Sequence, residues 1–301
     1  MKLILGFSIP LLFGNLFQQF YSMVDTMIVG RVLGTGPLAA VGSTGSITFL
    51  IIGFCLGLCS GFAIPVAQRF GSRDYKELRR FIGNAVWLCV GFGIVLTVLT
   101  VIFCRNILEF MDTPADIIDD AYAYLVVIFA GIPATFLYNM LAGIQRAIGD
   151  SRTPVVILVI ASIINIVLDI VLVVFIPMGV AGAAVATVAS QLIGGVVCLL
   201  YVSKHYEVLK MTREDFKINV PCIKRLLSMG LPMALQTSIT AIGSVILQAS
   251  VNSLGSTVVA SITAGSRLYM FFACAYDAMG VTMSTYLSLI HISEPTRHSL
   301  I

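Results

Sequence analysis

Long apolar runs recur from one end of the chain to the other, separated by short polar clusters. Each run is long enough to cross a bilayer as a helix. The pattern predicts eight spans, at about 3–29, 38–66, 81–104, 121–142, 154–176, 179–203, 228–252 and 257–286. Pro10 and Pro65 near span ends, and Pro133 inside span four, are expected to kink or break their helices. Span six carries Gly182, Ala186, Ser190 and Gly194, a small residue at every fourth position, which lets another helix approach closely.

The loops between the runs sort by charge. Arg69, Arg73, Lys76, Arg79 and Arg80 follow span two, and Arg146 and Arg152 follow span four. Lys204, Lys210, Arg213, Lys217, Lys224 and Arg225 follow span six. With Lys2, this places 14 of the 18 basic residues on one side. The other side has Arg31 and Arg105 facing Glu109, Asp112, Asp116, Asp119 and Asp120. The positive-inside rule therefore puts the amino terminus in the cytoplasm. The same loops suit contact with anionic headgroups.

Residues 204–227 form the longest polar break and read as a cytoplasmic linker, with room for an amphipathic interfacial helix. Beyond it the chain resembles its own beginning: Leu33-Gly34-Thr35 aligns with Leu254-Gly255-Ser256 at an offset of 221, and Ala39 with Ala260. The expected architecture is an all-α integral membrane protein, a parallel two-lobe repeat of six transmembrane helices each. Residues 1–203 would be the complete first lobe, and 228–286 the first two helices of the second. Leu287–Arg297 resembles a translated transposon-end sequencing adapter, so 287–301 is read as a non-native tail that truncates the repeat. His291, Glu294 and His298 then carry no functional meaning.

Composition agrees. The chain is 58% hydrophobic and 11% charged, with a mean hydropathy of +0.99, against about 25% charged residues in soluble domains. Seven cysteines are scattered, mostly within spans, and suggest neither a zinc site nor a disulfide framework. No phosphate loop, metalloprotease helix or nucleophile elbow is present, so no enzyme activity and no cofactor are expected.

Against this apolar background the buried polar residues stand out. Span one carries Asn15, Gln18, Ser22 and Asp25 at helical spacing, with Tyr21 at the edge of the stripe. An acid at membrane depth costs roughly 2.5–3.5 kcal/mol on insertion scales. Such a stripe must face partner helices or a wet cavity; taken alone, Asp25 also fits a structural hydrogen bond. Span five adds Asn165 and Asp169, four apart on one face, with Ser162 on the same side. Asp169 lies roughly 22 Å from the cytoplasmic entry at helical rise, Asp25 at similar depth, and Thr187 on span six roughly 12 Å from the outside. No lysine or arginine on these spans neutralises the acids. Two carboxylates in one low-dielectric pocket share a proton or hold a cation, and carboxylate, amide and hydroxyl oxygens suit a hard cation such as Na⁺. Asn139 on span four counts nearer the cytoplasm. Span eight holds Arg267 and Asp277, and span seven holds Gln236 and Gln248 but no carboxylate; Asp25 maps onto Ile246 in the repeat.

The stretches VDTMIVGRVLG (24–34), GFAIPVAQRFGSRD (61–74), RAIGDSRTP (146–154) and NIVLDIVLVVFIPMGVAGAAVAT (165–187) resemble the multidrug and toxic compound extrusion family across residues 1–286. The resemblance implies a twelve-span, two-lobed antiporter in a bacterial-type inner membrane, monomeric when full length. It would export cationic or amphipathic organic compounds in exchange for Na⁺ or H⁺, with no nucleic-acid partner. It further implies that Asp25, Asp169, Asn165, Thr187, Gln18, Tyr21 and Asn139 form an amino-lobe cation or proton site, with Asp25 and Asp169 as the Na⁺ ligands if Na⁺ is the coupling ion. Asp277, Arg267 and Gln236 would line a substrate cavity. Two other readings remain at this point. A lipid-linked oligosaccharide flippase would show a broad cationic cavity, and a non-transporting receptor or scaffold would need no buried acid pair.

Overall fold

The computed structural model describes residues 2–111, 113, 115, 117–252, 273 and 276–283. Among these, the regular elements are all helical. In order they are α1 (Lys2–Val32), α2 (Thr35–Ser43), α3 (Gly45–Gly71), α4 (Tyr75–Ile102), α5 (Cys104–Phe110), α6 (Ile118–Ala130), α7 (Ile132–Ala147) and α8 (Arg152–Asp169). A π-helical segment (Ile170–Phe175), α9 (Val180–His205), a 3₁₀ turn (Glu207–Leu209) and α10 (Val220–Asn252) follow.

Five helices among the described residues are long and apolar enough to cross a membrane, and α6 with α7, bent by 46°, makes a sixth span. The protein is thus a multi-pass membrane protein. Its large outward-facing residues are apolar, as lipid demands: Ile94, Val98 and Leu99 on α4, Ile163 and Val167 on α8, and Val196 and Leu200 on α9. Inside the bundle, Leu58, Phe62, Leu78, Leu125, Phe129 and Ile132 are fully buried.

Several boundaries differ from the hydropathy pattern. Span two is broken at Thr44, between α2 and α3, where the Ser43 and Thr44 hydroxyls donate to the carbonyls of Ala40 and Val41 at 2.8 and 2.7 Å. Span four bends at Gly131, where α9 presses in: a Cβ there would stand 2.3 Å from Val188 Cγ2. Pro133 therefore sits in the first turn of α7, where a missing N–H is tolerated. Pro65 lies inside α3, which continues through it. Span five ends its α-helix at Asp169 and continues as π-helix.

Between α9 and α10 lie the 3₁₀ turn and a strap that turns at 213–217, and α10 starts at Val220, eight residues before the apolar run suggested, so its first two turns fall within 204–227. The strap is held by α4. Trp87 Nε1 donates to the Phe216 carbonyl at 2.9 Å, Asn84 accepts from the Asn219 N–H at 2.8 Å, and Arg79 lies 3.6 Å from Asp215. Gly83 makes this possible, since a Cβ there would meet the Asp215 carbonyl oxygen at 2.1 Å. Burial alone would push the Asp215 carboxyl up. The Thr212 N–H and hydroxyl, then Arg79 and Arg80, outweigh it and hold the group below the usual carboxylate range. Asp150, in the turn between α7 and α8, behaves alike: bonds from Thr153, Tyr206 and Arg152 overcome burial and lower it.

The closest helix contact is between α3 and α10. A Cβ on Gly57 would stand 2.5 Å from Ala234 Cα, and one on Gly61 would stand 2.5 Å from Gly230 Cα. With Gly53 against Thr237, three glycines spaced by four residues let two backbones touch. The stripe noted on span six packs too: Gly194 meets Ala161 of α8 and Tyr138 of α7.

Candidate functional site

The site is built where α8 lies between α1 and α9. Gly14 brings α1 close, since a Cβ there would meet Val155 and Leu158 of α8 at 3.1 and 3.6 Å. Gly194 brings α9 against Ala161 on the other side, where a Cβ on the glycine would stand 3.3 Å from Ala161 Cβ. A polar residue on the inner face of α8 is thereby shut in on two sides.

Asn165 and Asp169 occupy that face and are 1% and 0% exposed. Their spacing of four puts one above the other on the helix. Both carboxylate oxygens of Asp169 and both amide atoms of Asn165 are buried without a hydrogen-bond partner among the described residues. Asp25 Oδ1 on α1 shares that condition, and Asp25 lies within electrostatic reach of Asp169. An unpaired buried polar group costs about 1–3 kcal/mol, more when charged. Five such atoms on three side chains gather on α1 and α8.

Asp169 is also the last residue of α8 before the π-helical segment. From here the ladder changes: the Ile170 N–H is shared between the carbonyls of Ile166 and Val167, and the Ile176 N–H reaches back five residues to Val171 at 2.9 Å. Single π-turns inside α-helices recur at functional sites. The segment is held by the start of α9. Gly179 takes a φ of +63°, and Gly182 passes so close that a Cβ would stand 3.0 Å from the Leu172 carbonyl oxygen.

The other expected residues spread around this centre. Thr187 on α9 is half-buried, and its carbonyl accepts from the Ser190 hydroxyl at 2.9 Å. Asn139 on α7 donates its amide to the Thr135 carbonyl at 2.8 Å, one turn back on its own helix. Gln18 lies exposed on α1. The side chains of Tyr21 and Ser22 lie outside the described residues, as do Arg267, the side chains of Ile246 and Gln248, and all of 287–301. Gln236 and Asp277 are exposed. Sequence reasoning missed the Thr135 hydroxyl, which donates to Gln191 Oε1 at 2.7 Å and joins α7 to α9 one turn from Thr187. A threonine and a glutamine within apolar spans were the available signal.

The MatE family profile matches residues 10–171, a window that contains Asp25, Asn165 and Asp169. The chain belongs to the MatE family. Among curated proteins, this MatE chain is similar to the probable multidrug resistance protein YoeA of Bacillus subtilis, 30% identical over 287 residues, 93% of this chain and 62% of that protein. Among solved structures it is similar to a MOP superfamily transporter from Pyrococcus furiosus, described by a reversed polarity of its binding pocket. The TM-score is 0.91 at 25% identity, over 97% of this chain and 65% of that one. An outward-facing multidrug resistance MATE transporter matches equally, with the same score, identity and coverage. The chain spans 62–64% of the length of the curated relatives it matches first.

Proposed function

We propose that this MatE chain forms the cation-handling part of an antiporter that exports cationic or amphipathic organic compounds in exchange for Na⁺ or H⁺. The observation that carries the proposal is the group of five unpartnered buried polar atoms on Asp25, Asn165 and Asp169. Carboxylate and amide oxygens offer a hard cation its preferred ligands, and two acids within electrostatic reach can hold one proton between them. Either ion relieves the cost of leaving those atoms unpaired. Thr187, half-buried on α9, would add a hydroxyl oxygen to the coordination, while Gln18, exposed on α1, would have to turn inward to join it.

Charge entering at Asp169 acts where the α-helix turns into π-helix, so a change in its occupancy can alter how α8 seats against α1 and α9. The drug would bind between the lobes, with Gln236 and Asp277 among its contacts. The names of the relatives support export of drugs, and the basic loops support a cytoplasmic amino terminus. Efflux of a fluorescent organic cation from vesicles carrying the full-length protein tests the proposal, with Na⁺ and pH gradients imposed separately. Asp169→Asn and Asp25→Asn are expected to abolish gradient-driven efflux. Efflux that persists in both variants would overturn it.

A further inference from the structure

Where α3, α4 and α10 meet at the loop end of the bundle lies a cavity of about 420 Å³. Gln68 and Arg69 line it from α3, Glu77 from α4, and Asn219, Cys222 and Arg225 from the start of α10. Its charge balance favours an anion. Glu77 is already paired with Arg80 at 2.8 Å. Arg69 keeps only a loose 3.8 Å approach to Asp74, whose carboxylate also caps α4 by accepting from the Glu77 N–H. The Arg69 guanidinium lies 5.6 Å over the Phe81 ring, a contact that steadies its plane beside the cavity. Arg225 is exposed, and among the described residues no carboxylate lies within ion-pair distance of it.

The depth suits a lipid headgroup. The half-exposed indole of Trp87 stands ten residues further along α4 than Glu77, about 15 Å at helical rise. Tryptophan gathers at the boundary between acyl chains and headgroups, which leaves the cavity in the headgroup layer. Guanidinium groups bind phosphate through paired, charge-assisted hydrogen bonds.

We propose that this cavity binds the phosphate of an anionic phospholipid headgroup, held by Arg69 from α3 and Arg225 from α10. The site bridges the two helices in closest contact, so its ligand fastens α10 to the first lobe at the membrane surface. It does not depend on the transport proposal.

The test uses the whole chain in neutral detergent, titrated with phosphatidylglycerol, phosphatidylcholine or glycerol 3-phosphate, and read by native mass spectrometry and thermal shift. Phosphatidylglycerol is expected to bind and stabilise, and the double variant R69Q/R225Q to weaken it by roughly tenfold or more. Lys224→Gln, an exposed neighbour that does not line the cavity, should bind as the parent does. Arg225→Lys, which keeps the charge but not the paired hydrogen bonds, should bind more weakly than the parent and more tightly than R69Q/R225Q, which separates loss of the ligand from loss of the fold. Glycerol 3-phosphate that competes, and loses its effect in R69Q/R225Q, assigns the affinity to the phosphate itself; lipid binding without such competition assigns it to the intact lipid. Equal affinity for phosphatidylcholine, or phosphatidylglycerol binding unchanged in R69Q/R225Q, would overturn the proposal.

Discussion

The α3–α10 crossing and the α1–α8 contact use the same device, glycine, to opposite ends. At the crossing, Gly57 and Gly61 bring backbone against backbone, and the space is filled. At α1–α8, Gly14 lets α1 lie against a helix whose Asn165 and Asp169 have polar atoms without a hydrogen-bond partner among the described residues. Close packing in the first region serves stability. In the second it encloses polar atoms whose lack of partners carries the proposed cation site. The difference separates a contact that holds the protein together from the one on which the proposed function rests, and it can be tested by mutating each side.

The largest effect is expected at the crossing. Gly61→Leu should abolish folding, and Gly61→Ala should cost about 1–3 kcal/mol through overpacking, seen as a lower unfolding temperature in detergent. A Gly61→Ala protein as stable as the parent would mean that the two backbones have room to part. Asp169→Asn should do the reverse. It removes a buried charge, so the unfolding temperature should hold or rise, while stabilisation by added Na⁺ or by protonation disappears. A large drop in stability without ligand would instead make Asp169 a structural acid.

Smaller effects are expected where polar groups are already paired. The folded-state carboxyls of Asp215 and Asp150 lie below their ordinary value, so their contribution is complete above about pH 4 and is lost as pH falls through the lowered folded value. The unfolding temperature should therefore fall below about pH 4, and Asp215→Asn should flatten that dependence and cost about 1–2 kcal/mol at neutral pH. Thr135→Val, which takes the donor from Gln191, should cost about 1 kcal/mol and leave cation binding nearly intact. If it instead weakens cation binding tenfold, the α7–α9 link belongs to the site.

The transmembrane pattern and the acids were legible because both break strong rules: apolar runs far exceed what a soluble core needs, and a carboxylate within one is rare. The Asn165–Asp169 pair followed from helical spacing alone. The π-segment after Asp169 was not legible, because IVLVVF contains neither proline nor glycine and its apolar run continues without a break. The start of α10 was missed because Val220–Leu227 mixes apolar residues with Lys224 and Arg225 and so reads as loop. Nor was the docked strap visible, since it depends on Gly83, one of many glycines, meeting a chain segment more than 130 residues away. The stripe on span six was noticed, yet the tighter one at Gly53, Gly57 and Gly61 on α3 was not. Spacing shows where a helix can be approached, and only the fold shows by what.

That second stripe bears on how the protein is made. Gly61 and its partner Gly230 stand 169 positions apart in the chain. At a synthesis rate of about 5–20 residues per second, roughly ten to thirty seconds separate their emergence from the ribosome. Throughout that interval the glycine face of α3 is in the membrane without its backbone partner, met by lipid or by the insertion machinery. The packing around α3 is therefore not complete until α10 has followed it into the membrane. The helix waits for a segment made much later, so biogenesis ties α3 to α10 across most of the described chain.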